Sequence, residues 1–237
     1  MRFARCAPPC ASLTPAPAVG DNGSKLVVNS SVTQHVEVLP GEAAKMGRLA
    51  SLLKEKLGKD DRAIVFCGTK RKCEVVTQAL RAAGHPVAGA IHGDKTQHER
   101  EAALAALRTG ARRVLVATDV AARGLDIPGV SIVVVLDFPR EVADYVHRVG
   151  RTGRAGATGA AYTFLTPADA GIARQLLALI KASQPAAEVP KDLEKMANAS
   201  RPAGGGGGGG GGGWRGGRSS GGGRGGRGGG GGRGRRW

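Results

Sequence analysis

Aromatic side chains are scarce: phenylalanine, tryptophan and tyrosine together make up 3% of the 237 residues. Any core must therefore be filled by aliphatic residues. Acids are also short, with 19 Asp and Glu against 35 Lys and Arg for a formal net charge of +16, which turns attention to polyanionic partners, nucleic acid first. The four cysteines, Cys6, Cys10, Cys67 and Cys73, form no C-x-x-C pair and have no histidine at zinc-ligand spacing beside them. Cys67 reads as a buried strand residue and Cys73 as a helix residue, in a reducing compartment. No apolar run approaches the roughly 20 residues that span a bilayer, so no membrane partner is expected.

What is present divides unevenly. Residues 201–237 hold 23 glycines and eight arginines without one acid, a composition that buries no core and reads as a disordered tail. Removing those eight charges leaves +8 on residues 1–200. Residues 1–25 form an Ala/Pro-rich leader with no acid before Asp21, weakly like an organelle transit peptide and more simply disordered. Residues 26–184 carry the periodic patterns of a fold, and 185–200 are expected to link it to the tail.

Within the central span, strand and helix patterns alternate. Val32, Val36 and Val38 mark a strand stopped by Pro40-Gly41, and Met46, Leu49, Leu52, Leu53 and Leu57 recur at helical steps. Ala63-Ile64-Val65-Phe66-Cys67 suits a strand buried on both sides, followed by a helix carrying Cys73, Val76 and Leu80 to Gly84. The same reading gives strands at 87–91, 114–117, 132–136 and 160–165, and helices at 96–107 and 167–182. Thr96 and Glu99 are placed as a capping box. Residues 132–136 are the most apolar strand and are expected near the centre. The fold class is α/β: an open parallel sheet with helices on both faces, joined by right-handed crossovers. Ligands of such sheets collect at the carboxyl ends of strands, where Gly68-Thr69, His92-Gly93, Thr118-Asp119 and Asp137 all fall.

Those turns put small or hydroxyl residues where helices begin, and free amides there suit phosphate. One such turn is an ordinary cap. Three along one edge can follow successive phosphates of a strand, with Gln97 and Arg100 reaching from the helix after Gly93. The stretch from Gly89 to Thr96 imitates a phosphate-binding loop but has Asp94 where glycine must precede the lysine. No acidic pair follows an apolar strand to hold Mg2+, and His98-Glu99 is no zinc helix, since Ala102 occupies the second histidine position.

The strongest stretch is Tyr145-Val146-His147-Arg148-Val149-Gly150-Arg151-Thr152-Gly153-Arg154, three arginines at three-residue steps closed by a glycine-containing turn. Pro139-Arg140-Glu141 reads as a helix start, which puts Arg148 and Arg151 in the last turns of a short helix and Arg154 just beyond. Cations there offset the helix dipole. A guanidinium fork also grips two phosphate oxygens at once. In a chain with no triphosphate site of its own, that points to arginines supplied to another domain.

Residues 32–182 resemble the second RecA-like domain of DEAD-box RNA helicases, and the whole resembles the subgroup with RGG tails. Residues 64–70 match motif IV, Gln97-His98-Glu99-Arg100 the Q-x-x-R element, Ala117 to Asp126 motif V and His147 to Arg154 motif VI. The resemblance implies that Arg151 and Arg154 meet the γ-phosphate of ATP, with His147 coupling two domains. It places Gly124 and Asp126 beside the ATP ribose, and Gly68, Thr69, Gly93, Gln97, Arg100 and Thr118 on the RNA backbone. ATP with Mg2+ is expected only when an N-terminal RecA-like lobe, in cis or in trans, completes the site. That lobe's elements have no counterpart in the sequence, so the chain alone is expected to hold no cofactor and hydrolyse no ATP. The RGG units at Arg215, Arg224 and Arg227, with Trp214 and Trp237, are expected to bind RNA or to serve as a solvated linker. A monomer is expected, in the nucleus or nucleolus by family analogy, with cytoplasm or an organelle as alternatives. Two functions stay open: the C-terminal lobe of an ATP-dependent RNA helicase, and a non-catalytic RNA-binding or annealing protein that works without ATP.

Overall fold

The computed structural model describes residues 26–119, 127, 129–154, 156–185 and 189–199. The expected leader at 1–25 and tail at 201–237 lie outside the described residues, as do Gly124 and Asp126. Six strands, β1 (Val32–Val38), β2 (Arg62–Phe66), β3 (Val87–Ile91), β4 (Val114–Ala117), β5 (Val130–Val135) and β6 (Gly159–Leu165), form one sheet in the order β1-β6-β5-β2-β4-β3. Every pairing is parallel. The alternation of strands and helices therefore produced the expected architecture. The most apolar strand, β5, lies beside β2 at the middle.

The helices are α1 (Glu42–Lys56), α2 (Lys70–Ala82), α3 (Gln97–Arg108), α4 (Val142–Val149), α5 (Ala170–Ser183) and α6 (Lys191–Ala199). Leu49, Leu52 and Leu53 of α1 and Cys73, Val76 and Leu80 of α2 pack on one face with Val65, Val116, Val134 and Phe164. Leu104 and Leu107 of α3, Tyr145 and Val149 of α4, Leu176 and Ile180 of α5 and Leu193 of α6 cover the other with Ile64, Leu115, Val133 and Val135. Because both faces are covered, β2 and β4 are buried along nearly their whole length, which is why they read as unbroken apolar runs. The Cys67 and Cys73 thiols are free and buried. A hydrogen bond with Cys73, together with burial, pushes the Cys67 thiol well above its ordinary range.

Local signals set the boundaries. Thr69 caps α2 by accepting from the Lys72 amide at 3.2 Å. Thr96 and Glu99 form the expected capping box on α3. The last helical pattern opens as a 3-10 turn, Pro167–Asp169, before α5. Two expectations differ from the structure. Helix α4 stops at Val149 with Gly150 as its cap, so Arg151 lies in the following turn and not in the helix. The expected linker at 185–200 contains α6, whose Leu193, Met196 and Ala197 are buried. Spaced i, i+3 and i+4, these three make one apolar stripe, which packs beside α5 and β1.

If α6 belongs to the core, Leu193→Ala should destabilise the fold by about 2–5 kcal/mol in urea titration, the usual cost of emptying a buried leucine site. A solvated linker would show a change of only about 0.5 kcal/mol or less.

Candidate functional site

Along the carboxyl ends of β2, β3 and β4 the expected turns sit side by side, tied by side chains. After β5, Asp137 accepts from the Gly68 amide at 2.8 Å and from Lys72 Nζ, which holds the β2–α2 turn against the end of β5. Lys72 also reaches Glu42 at 2.6 Å, and buried Lys45 pairs with Glu42 at 2.6 Å and approaches Asp137 at 3.8 Å. Across the next gap, Lys70 pairs with Asp94 at 2.6 Å, joining the β2–α2 and β3–α3 turns. His92, 5% exposed, meets Glu74 at 2.8 Å through Nε2, and Glu74 in turn holds Lys95 at 2.8 Å.

The residues expected on a nucleic-acid backbone take differing places on this edge. Gly68, Thr69, Gly93 and Gln97 are exposed, while Arg100 and Thr118 are half-buried. Thr69 is occupied as a helix cap, and Gln97 donates to Glu101 at 2.7 Å. Arg100 turns inward, with Nη2 on the carbonyls of His92 at 3.2 Å and Gly93 at 3.5 Å. It braces the turn from below. Gly68 and Gly93 expose the first two turns, although the Gly68 amide itself is held by Asp137.

The three arginines separate. Arg148 is 3% exposed, forks onto Asp119 through Nε and Nη2 at 2.5 and 2.6 Å, donates to the Asp137 carbonyl and lies over the Phe66 ring. It is an internal clamp on the ends of β2, β4 and β5, which corrects its reading as a phosphate ligand. Arg151 is half-exposed and Arg154 exposed. Each sets its Nε on the carbonyl four residues back, His147 at 3.2 Å and Gly150 at 2.8 Å. His147 is exposed beside them. The turn itself is anchored away from the loop edge, at the starts of β1 and β5. Thr152 Oγ1 donates to the Val130 carbonyl at 2.6 Å, and the Gly153 carbonyl accepts from Ser31 Oγ at 3.0 Å. Gly153 has φ +66°, and a Cβ there would collide with Val32, so the tight approach admits glycine alone.

Sequence reasoning missed the partners that hold these groups: Asp119 for Arg148, Glu74 for His92, and Glu42, Lys45 and Lys72 around Asp137. The apolar and charge patterns carried no signal for which carboxylate each cation would meet. Among the described residues no cluster of three metal-capable side chains occurs, and no helix is long and apolar enough to cross a membrane. The arrangement offers an edge of small turns suited to a phosphate backbone and, apart from it, a rigid turn displaying two guanidinium groups.

The helicase conserved C-terminal domain matches residues 44–156. Over 186 residues the chain is 45% identical to DEAD-box ATP-dependent RNA helicase 14 of Arabidopsis thaliana, a match covering 78% of this chain and 29% of that protein. Its fold is similar to E. coli DEAD-box protein SrmB, solved bound to regulator of ribonuclease activity A, with TM-score 0.56 and 33% identity over 72% of this chain and 95% of that one. It is also similar to S. cerevisiae Dbp5 bound to RNA and ADP BeF3, with TM-score 0.60 and 31% identity over 74% of this chain and 47% of that one. The parallel sheet, its strand order and its loop edge thus define a RecA-like helicase domain. The chain belongs to the DEAD-box family, of which it carries the C-terminal helicase domain. It spans less than a third of the length of the curated relatives, 16% to 30%.

Two outcomes test the scaffold. Asp119→Ala strands the buried Arg148 charge and should lower stability by roughly 3–5 kcal/mol in urea titration. Glu42 gives a pH dependence. Burial alone would raise its pKa, but the hydrogen bonds from Lys45 and Lys72 outweigh it and leave the carboxyl below its ordinary value. A lowered native pKa gives stability that is present above the unfolded pKa and lost as pH falls through the native one. Glu42→Gln should therefore flatten the acid limb of the stability curve below about pH 4.5, as read by thermal melts across pH.

Proposed function

We propose that this domain is the RNA-gripping, ATP-completing lobe of an ATP-dependent RNA helicase. The loop edge at Gly68, Thr69, Gly93, Gln97 and Thr118 takes the RNA backbone, with Arg100 bracing its turn. Arg151 and Arg154 meet the triphosphate of ATP held by an N-terminal lobe, His147 couples the two lobes, and Gly124 and Asp126 lie at the ribose. The observation that carries this reading is the division of the arginines. Arg148 is spent on holding the scaffold, whereas Arg151 and Arg154 sit on a turn fixed by Gly153 and reach the surface. Passive RNA binding needs no such anchored pair, so the helicase reading is favoured over an annealing protein that works without ATP.

The residues present fit part of the bound group. Two guanidinium groups suit the developing charge of a transferring phosphoryl, while the acidic residues that would hold Mg2+ belong to the other lobe. When bound, Mg-ATP supplies the phosphoanhydride bond whose cleavage powers strand separation. Family relatives support the RNA and nucleotide assignment, Dbp5 having been solved with both. The tail adds a second grip: arginines among glycines supply phosphate contacts, and Trp214 and Trp237 offer stacking faces. A monomer residing in the nucleus or nucleolus completes the proposal.

Adding a purified N-terminal lobe to the chain should produce RNA-stimulated ATP hydrolysis. Arg151→Ala or Arg154→Ala should cut that rate by about 10³-fold or more while RNA affinity changes little. ATP turnover by the chain alone that Arg151→Ala abolishes would overturn the division of labour. Deleting residues 201–237 should weaken RNA binding and flatten its dependence on salt, and an unchanged slope would remove the tail from the function.

A further inference from the structure

At the loop edge the lysines are neutralised: Lys45 by Glu42, Lys70 by Asp94, Lys72 by Glu42 and Asp137, Lys95 by Glu74. The opposite, amino-terminal edge is different. Around the starts of β3 and β4 stand Lys54, Arg81, Arg112 and Arg113, none in an ion pair among the described residues. Arg81 donates to the Ala88 carbonyl at 3.3 Å and Arg113 to the Gly58 carbonyl, bonds that leave both charges uncompensated. Asp61, on the same side as Arg113, is bound to the Gly58 amide at 2.8 Å.

These cations line grooves. One, of about 340 Å³, runs between the ends of α1 and α2 past Lys54, His85 and Arg113. It shares Gly84 and His85 with a second, of about 320 Å³, that reaches Arg81 and Arg112. The second shares Arg81 and Ala88 with a third, of about 400 Å³, that follows the outer side of β3 between α2 and α3 to Lys95 and His98. Strand β3 is the last in the sheet, so among the described residues no further strand blocks this route. Gly89 and Ala90 of β3 and Ala102 and Ala103 of α3 keep it open with small side chains. Glu74 and Glu99 also line the third groove, each paired with Lys95. The route ends at Lys95 and His98, which flank Gln97 and follow the Gly93 turn in the chain, on the proposed RNA edge. Strand β3 has five residues, roughly 17 Å at the usual strand rise.

We infer that an RNA strand leaving the loop edge at Gly93 and Gln97 turns around β3 and continues into the amino-terminal grooves, where Lys54, Arg81, Arg112 and Arg113 hold its phosphates. The inference rests on the RNA reading above for the choice of polyanion. Unpaired positive charge complements a phosphate backbone, and the half-buried His85 ring offers a face to a base. Continuity with the loop edge favours RNA over an acidic protein segment. Burial and the Lys54 charge both hold His85 below its ordinary pKa, so near neutral pH the ring is uncharged and suited to stacking.

The test uses the full chain and two single-stranded RNAs, one of about 6 and one of about 16 nucleotides, the span of common single-strand site sizes. Lys54→Gln/Arg112→Gln removes two cations for which no bond to the fold is seen, and an unchanged unfolding midpoint verifies that. Expected is a several-fold loss of affinity for the longer RNA, with its salt slope lowered by about 1.4, from about 0.7 per cation, and no change for the shorter. Equal losses for both lengths mean a diffuse field without a path and overturn the inference, as does no loss for either. Loss of polyglutamate binding with RNA binding intact overturns it in favour of an acidic protein partner. Gly93→Glu should weaken both RNAs. If it weakens neither, the loop-edge reading fails, whatever the first variant does.

Discussion

One buried guanidinium organises the working end of the sheet. Arg148 joins the carboxylate of Asp119, the carbonyl of Asp137 and the ring of Phe66, so the ends of three strands and one helix share a single anchor. Desolvating that charge is costly, and it is compensated only because the fork meets two carboxylate oxygens and a carbonyl in good geometry. Asp137 carries the constraint onward, since its carboxylate holds the Gly68 amide and Lys72. The loops proposed to take the RNA backbone are thus fixed by a network beneath them, with Gly68 and Gly93 exposed at their tips.

The placement of the two arginine roles has a physical logic. A helix of eight residues running back from the loop edge carries Arg148 near its end, where the side chain points toward the helix start and so reaches the strand ends. The residues beyond the Gly150 cap leave the helix and turn against the starts of β1 and β5. One short segment thereby connects the loop edge to a turn anchored at the starts of β1 and β5. Under the proposed function, that segment would join the RNA edge to the nucleotide side of the domain.

Much of this was legible in the residues. Runs such as Ile64-Val65-Phe66 and Ile132-Val133-Val134-Val135 can be buried only inside a sheet covered on both faces. The capping box at Thr96 and Glu99 located α3 almost to the residue. The reach of α4 was overestimated because arginines at three-residue steps suit a helix, while the cap at Gly150 ends it. Helix α6 was overlooked although Leu193, Met196 and Ala197 carry a helical stripe, since the neighbouring glycine tail suggested a linker. The choice of Asp119 for Arg148 was beyond reach: they are 29 residues apart in sequence, and only the crossover geometry brings them together.

The sheet also has an unusual chronology. Strand β1 is the first of these six to leave the ribosome, yet its neighbour is β6, with Val32 set against Gly159, and β6 alone attaches it to β5. During synthesis the opening strand must wait without a hydrogen-bonding partner until more than a hundred further residues have appeared, and α6, which packs beside it, arrives later still. Closure of that edge is a long-range event, of the kind that slows folding. The nascent domain therefore exposes an unpaired β1 for most of its manufacture, an interval in which a chaperone has the most to protect.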